Sequence, residues 1–171
     1  MQFRYIDERW APVGQRNHTM RYWLMKSEPD EVGIAHLAAN PDALFEWTGV
    51  RNYQARNFMR DDMQPGDLLL FWHSSCPEPG IAGIAEVASA AHADSSQFDP
   101  ASPYHDPKSD PAKPRWQCVD VRFVRQTRLV SPQELRQHPQ LEEMTVLKRG
   151  NRLSITPVTE AEWAYLTQVV L

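Results

Sequence analysis

The chain has 171 residues, a length that favours one domain with a full hydrophobic core. Hydrophobic residues make up 42% of it and charged residues 23%, and the formal net charge is −4. No apolar run approaches the length of a membrane span, and an acidic chain lacks the many lysines and arginines needed to grip long duplexes mainly through phosphates.

Residues 1–19 are polar and without clean periodicity, so we expect a peripheral N-terminal extension followed by one domain over residues 20–171. The first residues, MQFRYIDERW, lack the basic-then-apolar layout of a signal peptide, which predicts a cytoplasmic location. Two cysteines are present, Cys76 and Cys118, and neither has a CxxC partner. In a reducing compartment they are expected to be free thiols.

Short apolar or alternating runs predict four strands, two of which follow the Pro-Gly turn signals at Pro65-Gly66 and Pro79-Gly80. Alternation in the last of them predicts that Val119, Val121 and Phe123 face the core. The four predicted strands cover residues 21–26, 67–73, 81–87 and 116–124.

Helices are predicted where capping residues precede amphipathic segments, over residues 31–39, 52–60 and 141–147. In the second of these, Ala55, Phe58 and Met59 can face the core. Capping boxes that start at Ser131 and Thr159 predict two further short helices. In the last helix, Trp163, Leu166 and Val170 share one face.

Residues 88–115 are rich in Ala, Ser, Asp and Pro, and no regular element is predicted there. A loop of this length in a compact domain is usually functional or mobile. Strands interspersed with short helices, without a βαβ rhythm, predict an α+β fold with a curved, mostly antiparallel sheet.

The segment WTGVRNYQARNFMR, residues 47–60, gathers aromatic, arginine and asparagine side chains around the predicted start of a helix. Free backbone N–H groups at a helix start, with nearby arginines and asparagines, suit a phosphate or a base edge. Trp47 and Tyr53 offer faces on which an extruded base could stack. The same residues would also fit an ordinary core with solvated arginines.

Other clusters lie at strand ends and in loops. Lys26 and Ser27 close the first strand, and FWHS, residues 71–74, closes the second, where one of Trp72 and His73 could line a pocket. The loop carries Tyr104, His105 and Lys108, which could cover a ligand. The cluster LKRGNR, residues 147–152, is a possible phosphate contact or a charged helix end.

Three classes of function fit these features. An enzyme acting on nucleobases is disfavoured, because HExxH, the zinc deaminase pattern, the G-x-S-x-G elbow and a Walker loop are all absent from the sequence. A nucleic-acid reader and a module for a small molecule, a nucleotide or a protein partner both remain open. No cofactor, no metal and no membrane partner are expected.

Taken together, the motifs resemble those of the EVE domain family, and the resemblance runs from about Met20 to the C-terminus. The matching segments are YWLMKSEP, WTGVRNYQARNFMR, PGDLLLFWHS, PGIAGIAEV, DPKS, the W–VDVRF region and LKRGNRLSITPVTEAEW. The resemblance implies a PUA-like, β-barrel-like curved sheet with short peripheral helices. It also implies a non-catalytic module that takes a modified, for example methylated, base of DNA or RNA into an aromatic pocket.

Carried onto this sequence, the resemblance implies that Trp47 is the stacking wall and that Ser27 and Asn52 recognise the base edge. The implied base pocket comprises Lys26, Ser27, Trp47, Val50, Asn52, Tyr53, His73 and Ser74. Contacts to the sugar-phosphate backbone are expected from Arg51, Arg56, Lys148, Arg149 and Arg152. Tyr104, His105 and Lys108 are the candidates for a loop lid.

Overall fold

A computed structural model describes residues 19–171, so the predicted extension over residues 1–19 lies almost wholly outside the described residues. A six-stranded sheet forms the centre, with strand order β2-β7-β4-β3-β1-β8, and β5 and β6 pair beside it. The strands are β1 (Tyr22–Ser27), β2 (Phe45–Glu46), β3 (Leu68–His73), β4 (Gly80–Val87), β5 (His92–Ala93), β6 (Gln117–Cys118), β7 (Asp120–Val130) and β8 (Ile155–Val158).

The predicted curved, mostly antiparallel sheet is confirmed: the six strands form a mixed, curled half-barrel. One pair, β1 with β3, is parallel, and each other pairing within the sheet is antiparallel. Because β1 and β3 are parallel, their carboxyl ends meet at one edge, where Ser27 pairs with His73. Register shifts in the pairing of β4 with β3 and β7 add local twist of the kind that bulges produce.

Core side chains cover both faces of the sheet. On β1, Trp23 and Met25 enter one apolar cluster while Leu24 between them enters the other. On β3, Phe71 and Trp72 divide between the two faces in the same way. The central strands therefore read as continuous apolar runs, because neither of their faces meets water.

The helices are short and peripheral. Five are α-helical: α1 (Pro29–Val32), α2 (Ile34–Ala39), α3 (Tyr53–Asn57), α4 (Pro132–Leu135) and α5 (Glu160–Tyr165). The helix predicted over residues 31–39 is interrupted at Gly33, which has extended backbone angles. The predicted helix over residues 52–60 continues after α3 as a π-helical turn, Phe58–Asp62, and the last helix continues likewise over Leu166–Val170.

Capping differs between the two predicted boxes. Thr159 accepts a hydrogen bond from the Glu162 backbone, and the Glu162 carboxylate accepts one from the Thr159 N–H, so this box is complete. Ser131 accepts from the Glu134 backbone, but the Glu134 carboxylate pairs with Arg128 instead. The second half of the Ser131 box was therefore a wrong prediction, because an arginine from β7 competes for the carboxylate.

Three further expectations need correction. Val119 and Val121 are buried as predicted and Phe123 is half-buried, but Cys118 on the opposite side of the alternation is also buried. Residues 88–115 contain β5, which pairs with β6, and a 3-10 turn, Ser95–Phe98. Two 3-10 turns, Pro139–Leu141 and Thr145–Leu147, replace the helix predicted over residues 141–147.

Both cysteines are free thiols, Cys76 half-buried and Cys118 buried. Within residues 19–171, no helix combines the length and apolar character that crossing a membrane requires.

Candidate functional site

A cavity of about 600 Å³ opens where the parallel β1 and β3 end, and it lies within the size range of small-molecule sites. Residues from seven parts of the chain line it: the end of β1 with α1, Leu37 of α2, the segment 45–52, Ser74 and Ser75, Tyr104, Val121 of β7, and the approach to β8. The apolar part of the lining consists of Val32, Leu37, Phe45, Trp47, Val50 and Val121.

Trp47 is both a wall of the cavity and a member of the core. Its side chain is only 8% exposed, and its ring meets Phe71 edge-on with centroids 5.4 Å apart. Its backbone N–H donates to the carbonyl oxygen of Val119 at 2.8 Å. The indole is thus held rigidly from behind while it lines the cavity, as a stacking wall requires.

The polar lining offers donors and acceptors in fixed positions. The Ser27 hydroxyl donates to the Val32 carbonyl at 2.7 Å, which leaves its oxygen as an acceptor. Asn52 caps α3: its Oδ1 accepts from the Ala55 N–H at 3.0 Å, which leaves the side-chain NH₂ as a donor. Burial lowers the pKa of Lys26, which also lines the cavity.

The rim of the cavity is closed by a contact that needs glycine. Gly49 has a φ of +83°, and a Cβ there would lie 2.8 Å from the ring of Tyr104. The Tyr104 hydroxyl donates to the carboxylate of Glu31 across the opening, 2.8 Å from each oxygen. Burial and this hydrogen bond raise the pKa of Tyr104 to about 12, so the phenol stays protonated and remains the donor.

A buried carboxylate holds this rim in place. Asp94 is fully buried and accepts hydrogen bonds from the Gly49 N–H at 2.9 Å and from the Arg51 guanidinium at 2.8 Å. Burial raises its pKa, but hydrogen bonds from Ser96, Arg51 and Gly49 outweigh burial and bring the pKa below its usual value. Arg51 also donates to the Tyr104 carbonyl, so one ion pair ties residues 49–51 to the loop around residue 104.

Six of the eight residues predicted for the base pocket line this cavity, and the other two lie elsewhere. Tyr53 points outward, 54% exposed, and stacks on Trp116 with ring centroids 4.9 Å apart. His73 accepts a hydrogen bond from the Ile34 N–H at 3.1 Å, and burial lowers its pKa. Trp72, the alternative to His73, is buried in the core on the other face of the sheet. The six that line the cavity are Lys26, Ser27, Trp47, Val50, Asn52 and Ser74.

The residues predicted to contact the sugar-phosphate backbone are not all in one place. Arg51 and Arg152 line the cavity, although the guanidinium of Arg51 is held by Asp94. Arg56 lies outside it, 4.8 Å from the ring centre of Tyr53. Lys148 is exposed and pairs with Glu143 at 3.1 Å, and Arg149 is exposed beside it.

Of the three predicted lid residues, only Tyr104 lines the cavity. His105 and Lys108 are exposed and are not part of the lining. Between them, Asp106 accepts a hydrogen bond from the indole N–H of Trp116 at 2.8 Å, which anchors this part of the loop.

Asp94 and Glu31 could not be recognised from the sequence, nor could the apolar lining residues Leu37 and Phe45. Asp94 lies in the alanine- and serine-rich stretch that shows no periodicity. The only signal available was the Asp94-Ser-Ser sequence, typical of a capped turn, and Asp94 does accept from the Ser96 N–H.

One group of side chains could hold a divalent ion. Within the described part of the chain, the ligand atoms of Glu46, His92 and Asp120 all lie within 4.8 Å of one another. His92 and Asp120 already hydrogen-bond at 2.9 Å, which satisfies both groups in the absence of an ion. The expectation that the protein needs no metal stays a prediction.

Comparison with known proteins agrees with this geometry. The EVE domain family model matches residues 21–169. Human thymocyte nuclear protein 1 is 40% identical over 162 residues, which cover 85% of this chain and 72% of the human protein.

Solved structures give the same result. A protein from Pseudomonas syringae superposes with a TM-score of 0.81 at 46% identity, over 85% of this chain and 97% of that one. A structure of the human protein in complex with DNA containing 5-methylcytosine has a TM-score of 0.78 at 40% identity, over 85% and 95% of the two chains. With a family model that matches almost its whole length and relatives of this similarity, the chain belongs to the EVE domain family.

Proposed function

We propose that this protein is a reader of modified DNA that takes 5-methylcytosine into the cavity beside Trp47. The observation that carries the proposal is the cavity itself, which has a rigid indole wall and polar groups of both kinds at its rim. The complex of the human relative with DNA containing 5-methylcytosine supports this choice of base and of nucleic acid.

The polar groups match the edge of cytosine. That edge presents an amine donor and two acceptors, its ring nitrogen and its carbonyl oxygen. The free NH₂ of Asn52 can serve an acceptor, and the Ser27 oxygen, whose proton is donated to Val32, can accept from the amine. Lys26 offers a further donor on the same side of the cavity.

Discrimination of the methyl group rests on the apolar part of the cavity lining. Phe45, Val50 and Val121 line the cavity together with Trp47. Full burial of one methyl group contributes about 0.8 kcal/mol, which corresponds to about fourfold in affinity. A larger preference for the methylated base would require that the unmethylated base also leaves a gap in the cavity.

We further propose that binding proceeds without chemical conversion of the base. Nucleophilic catalysis by a serine needs the hydroxyl proton directed to a base, whereas the Ser27 proton is directed to a backbone carbonyl. The cytoplasmic location expected from the first residues remains a prediction.

The test is direct binding by fluorescence anisotropy at two salt concentrations. Matched DNA and RNA oligonucleotides would carry cytosine, 5-methylcytosine, adenine or N6-methyladenine at one position, and the free nucleosides would be titrated beside them. Preference for DNA containing 5-methylcytosine is the expected result. Equal, weak binding across the panel would refute the reader function. Tight binding of a free nucleotide with little salt dependence would instead identify a small-molecule module.

One variant tests the edge contact with little effect on the fold. Asn52→Asp keeps a good N-cap for α3 but replaces the free NH₂ donor with a carboxylate oxygen, which repels the acceptors of cytosine. We expect a loss of affinity of tenfold or more, in the range for a buried polar group left unpaired. Asn40→Asp, exposed at the end of α2 and outside the cavity lining, adds the same charge and is the matched control.

A further inference from the structure

Beside the cavity lies an aromatic surface that the base pocket does not use. Tyr53 is 54% exposed, and the face that it turns inward stacks on Trp116 at an interplanar angle of 21°. We propose that its outer face is a stacking platform for the nucleobase that flanks the base held in the cavity. The platform rests on the proposed reading function and adds a second base contact to it.

The platform is held rigidly from below. Trp116 is buried, and its indole N–H donates to Asp106 at 2.8 Å. Its backbone N–H donates to the side chain of Gln97, which is itself fully buried. A tyrosine stacked on an anchored tryptophan loses little freedom when a base lands on it, which favours tight stacking.

The outer face of Tyr53 is free to receive a ring. The guanidinium carbon of Arg56 lies 4.8 Å from the centre of the Tyr53 ring and 5.9 Å from that of Trp116. If it covered the outer face, it would lie about twice as far from Trp116 as from Tyr53. Arg56 therefore flanks the edge of the stacked pair, and its positive charge adjoins the platform without blocking it.

The distance to the cavity suits a neighbouring nucleotide. Asn52 lines the cavity, Tyr53 follows it in the chain, and consecutive Cα atoms are about 3.8 Å apart. Arg51, which lines the cavity as well, lies with its guanidinium carbon 5.4 Å from the ring centre of Trp116. A base that leaves the stack uncovers the faces of its neighbours, and those faces need a new partner. Tyr53, which follows the lining residue Asn52 in the chain, provides one, and Arg56 adds charge complementary to the adjoining phosphate.

The experiment uses the full chain and single-stranded DNA that carries one 5-methylcytosine. Tyr53→Ala should weaken oligonucleotide binding by about five- to hundredfold, the range for loss of one base–aromatic stack, and leave binding of the free nucleoside unchanged. Tyr53→Phe and Tyr53→Trp should retain the affinity. Tyr53→Leu keeps an apolar contact with Trp116, so it should lose oligonucleotide affinity without losing thermal stability.

An abasic site on either side of the 5-methylcytosine supplies the decisive comparison. At one of the two positions, the abasic site should weaken oligonucleotide binding by the wild-type protein and should not weaken binding by Tyr53→Ala any further. If Tyr53→Ala binds the oligonucleotide as tightly as wild type while both distinguish 5-methylcytosine from cytosine, the platform is refuted and the reader function stands. If the wild-type protein makes no such distinction, the reader function fails and the platform fails with it.

Discussion

Replacement of the buried carboxylate at Asp94 by an amide, Asp94→Asn, should destabilise the protein although the two side chains have the same shape. The carboxylate accepts two hydrogen bonds at each oxygen: from Gly49 and Arg51 at one, and from the backbone and hydroxyl of Ser96 at the other. An amide has only one accepting oxygen. The amide NH₂ can take the place of a carboxylate oxygen only on the side that faces Ser96, because the Ser96 hydroxyl can rotate and accept a hydrogen bond from it. The Ser96 backbone N–H then has no acceptor.

The magnitude follows from those losses. An orphaned buried donor costs about 1–3 kcal/mol, and removal of one charge from a buried ion pair costs about 3–5 kcal/mol. Because the Arg51 side chain retains 22% exposure, the lower part of that range applies, and we expect a loss of about 3 kcal/mol. For a chain of this length, this corresponds to a fall in Tm of roughly 6–12 °C.

Urea unfolding at pH 7 measures this loss, with Asp99→Asn in the same loop as the control, because Asp99 is exposed. Acid supplies a second check. The pKa of Asp94 is lowered in the folded protein, so its stabilisation is present above the usual carboxyl pKa, about 3.9, and is lost as pH falls through the folded value. The gap between wild type and Asp94→Asn should therefore narrow on acidification below about pH 4. A loss below about 0.5 kcal/mol at pH 7, or a gap that widens in acid, would refute the reasoning.

Three further predictions follow from burial and charge. Trp47→Ala should lower the free energy of unfolding by about 3–5 kcal/mol, because the indole is also a core side chain; urea unfolding that matches wild type would contradict this. Asp120→Asn should lower the pKa of His92, which NMR titration of the ring protons measures. In the wild-type protein, partial burial lowers this pKa, but the Asp120 carboxylate and a backbone hydrogen bond outweigh burial and raise it overall. Stabilisation of the fold by protonated His92 is thus complete below the ordinary histidine pKa of about 6.5 and is lost as pH rises through the raised pKa of His92 in the folded protein. Asp120→Asn should lack this pH-dependent stabilisation. A thiol reagent should modify Cys76 but not Cys118 in the native protein, because Cys118 is buried and burial raises the pKa of its thiol. Both thiols should react after unfolding. Reaction of both thiols in the native protein would contradict the buried position of Cys118.

Strands β1, β3 and β4 could be predicted because their signals are local. Pro65-Gly66 precedes β3 and Pro79-Gly80 leads into β4, and the apolar runs that follow are long enough for strands and too short for most helices. The strand predicted over residues 116–124 is divided between β6 and β7, and the short strands β2, β5 and β8 were not predicted. Helix lengths were harder to predict. Gly33 interrupts the first predicted helix with an extended backbone, and the next residue, Ile34, donates its N–H to His73 of β3, a tertiary contact that periodicity does not record.

The site could be predicted only where the chain brings its residues close in sequence. Trp47, Val50 and Asn52 lie within one short segment, and all three line the cavity. Tyr53, one residue further, points outward, because the first turn of a helix changes direction by about 100° per residue. Asp94 could not be identified as a site residue, since Gly49 and Arg51, the partners that connect it to the cavity, are more than forty residues away in the chain.

The double role of Trp47 constrains how this cavity can change specificity. Because the indole supports Phe71 in the core, replacing it would cost stability before it altered base preference. The side chains of Asn52 and Ser27 are not part of the core in this way. Aspartate or serine could replace the cap that Asn52 makes, and the Ser27 hydroxyl hydrogen-bonds to the Val32 carbonyl at the end of α1. Under the proposed reading function, discrimination between bases is therefore expected to be adjustable at Asn52 and Ser27 while Trp47 is retained as the stacking wall.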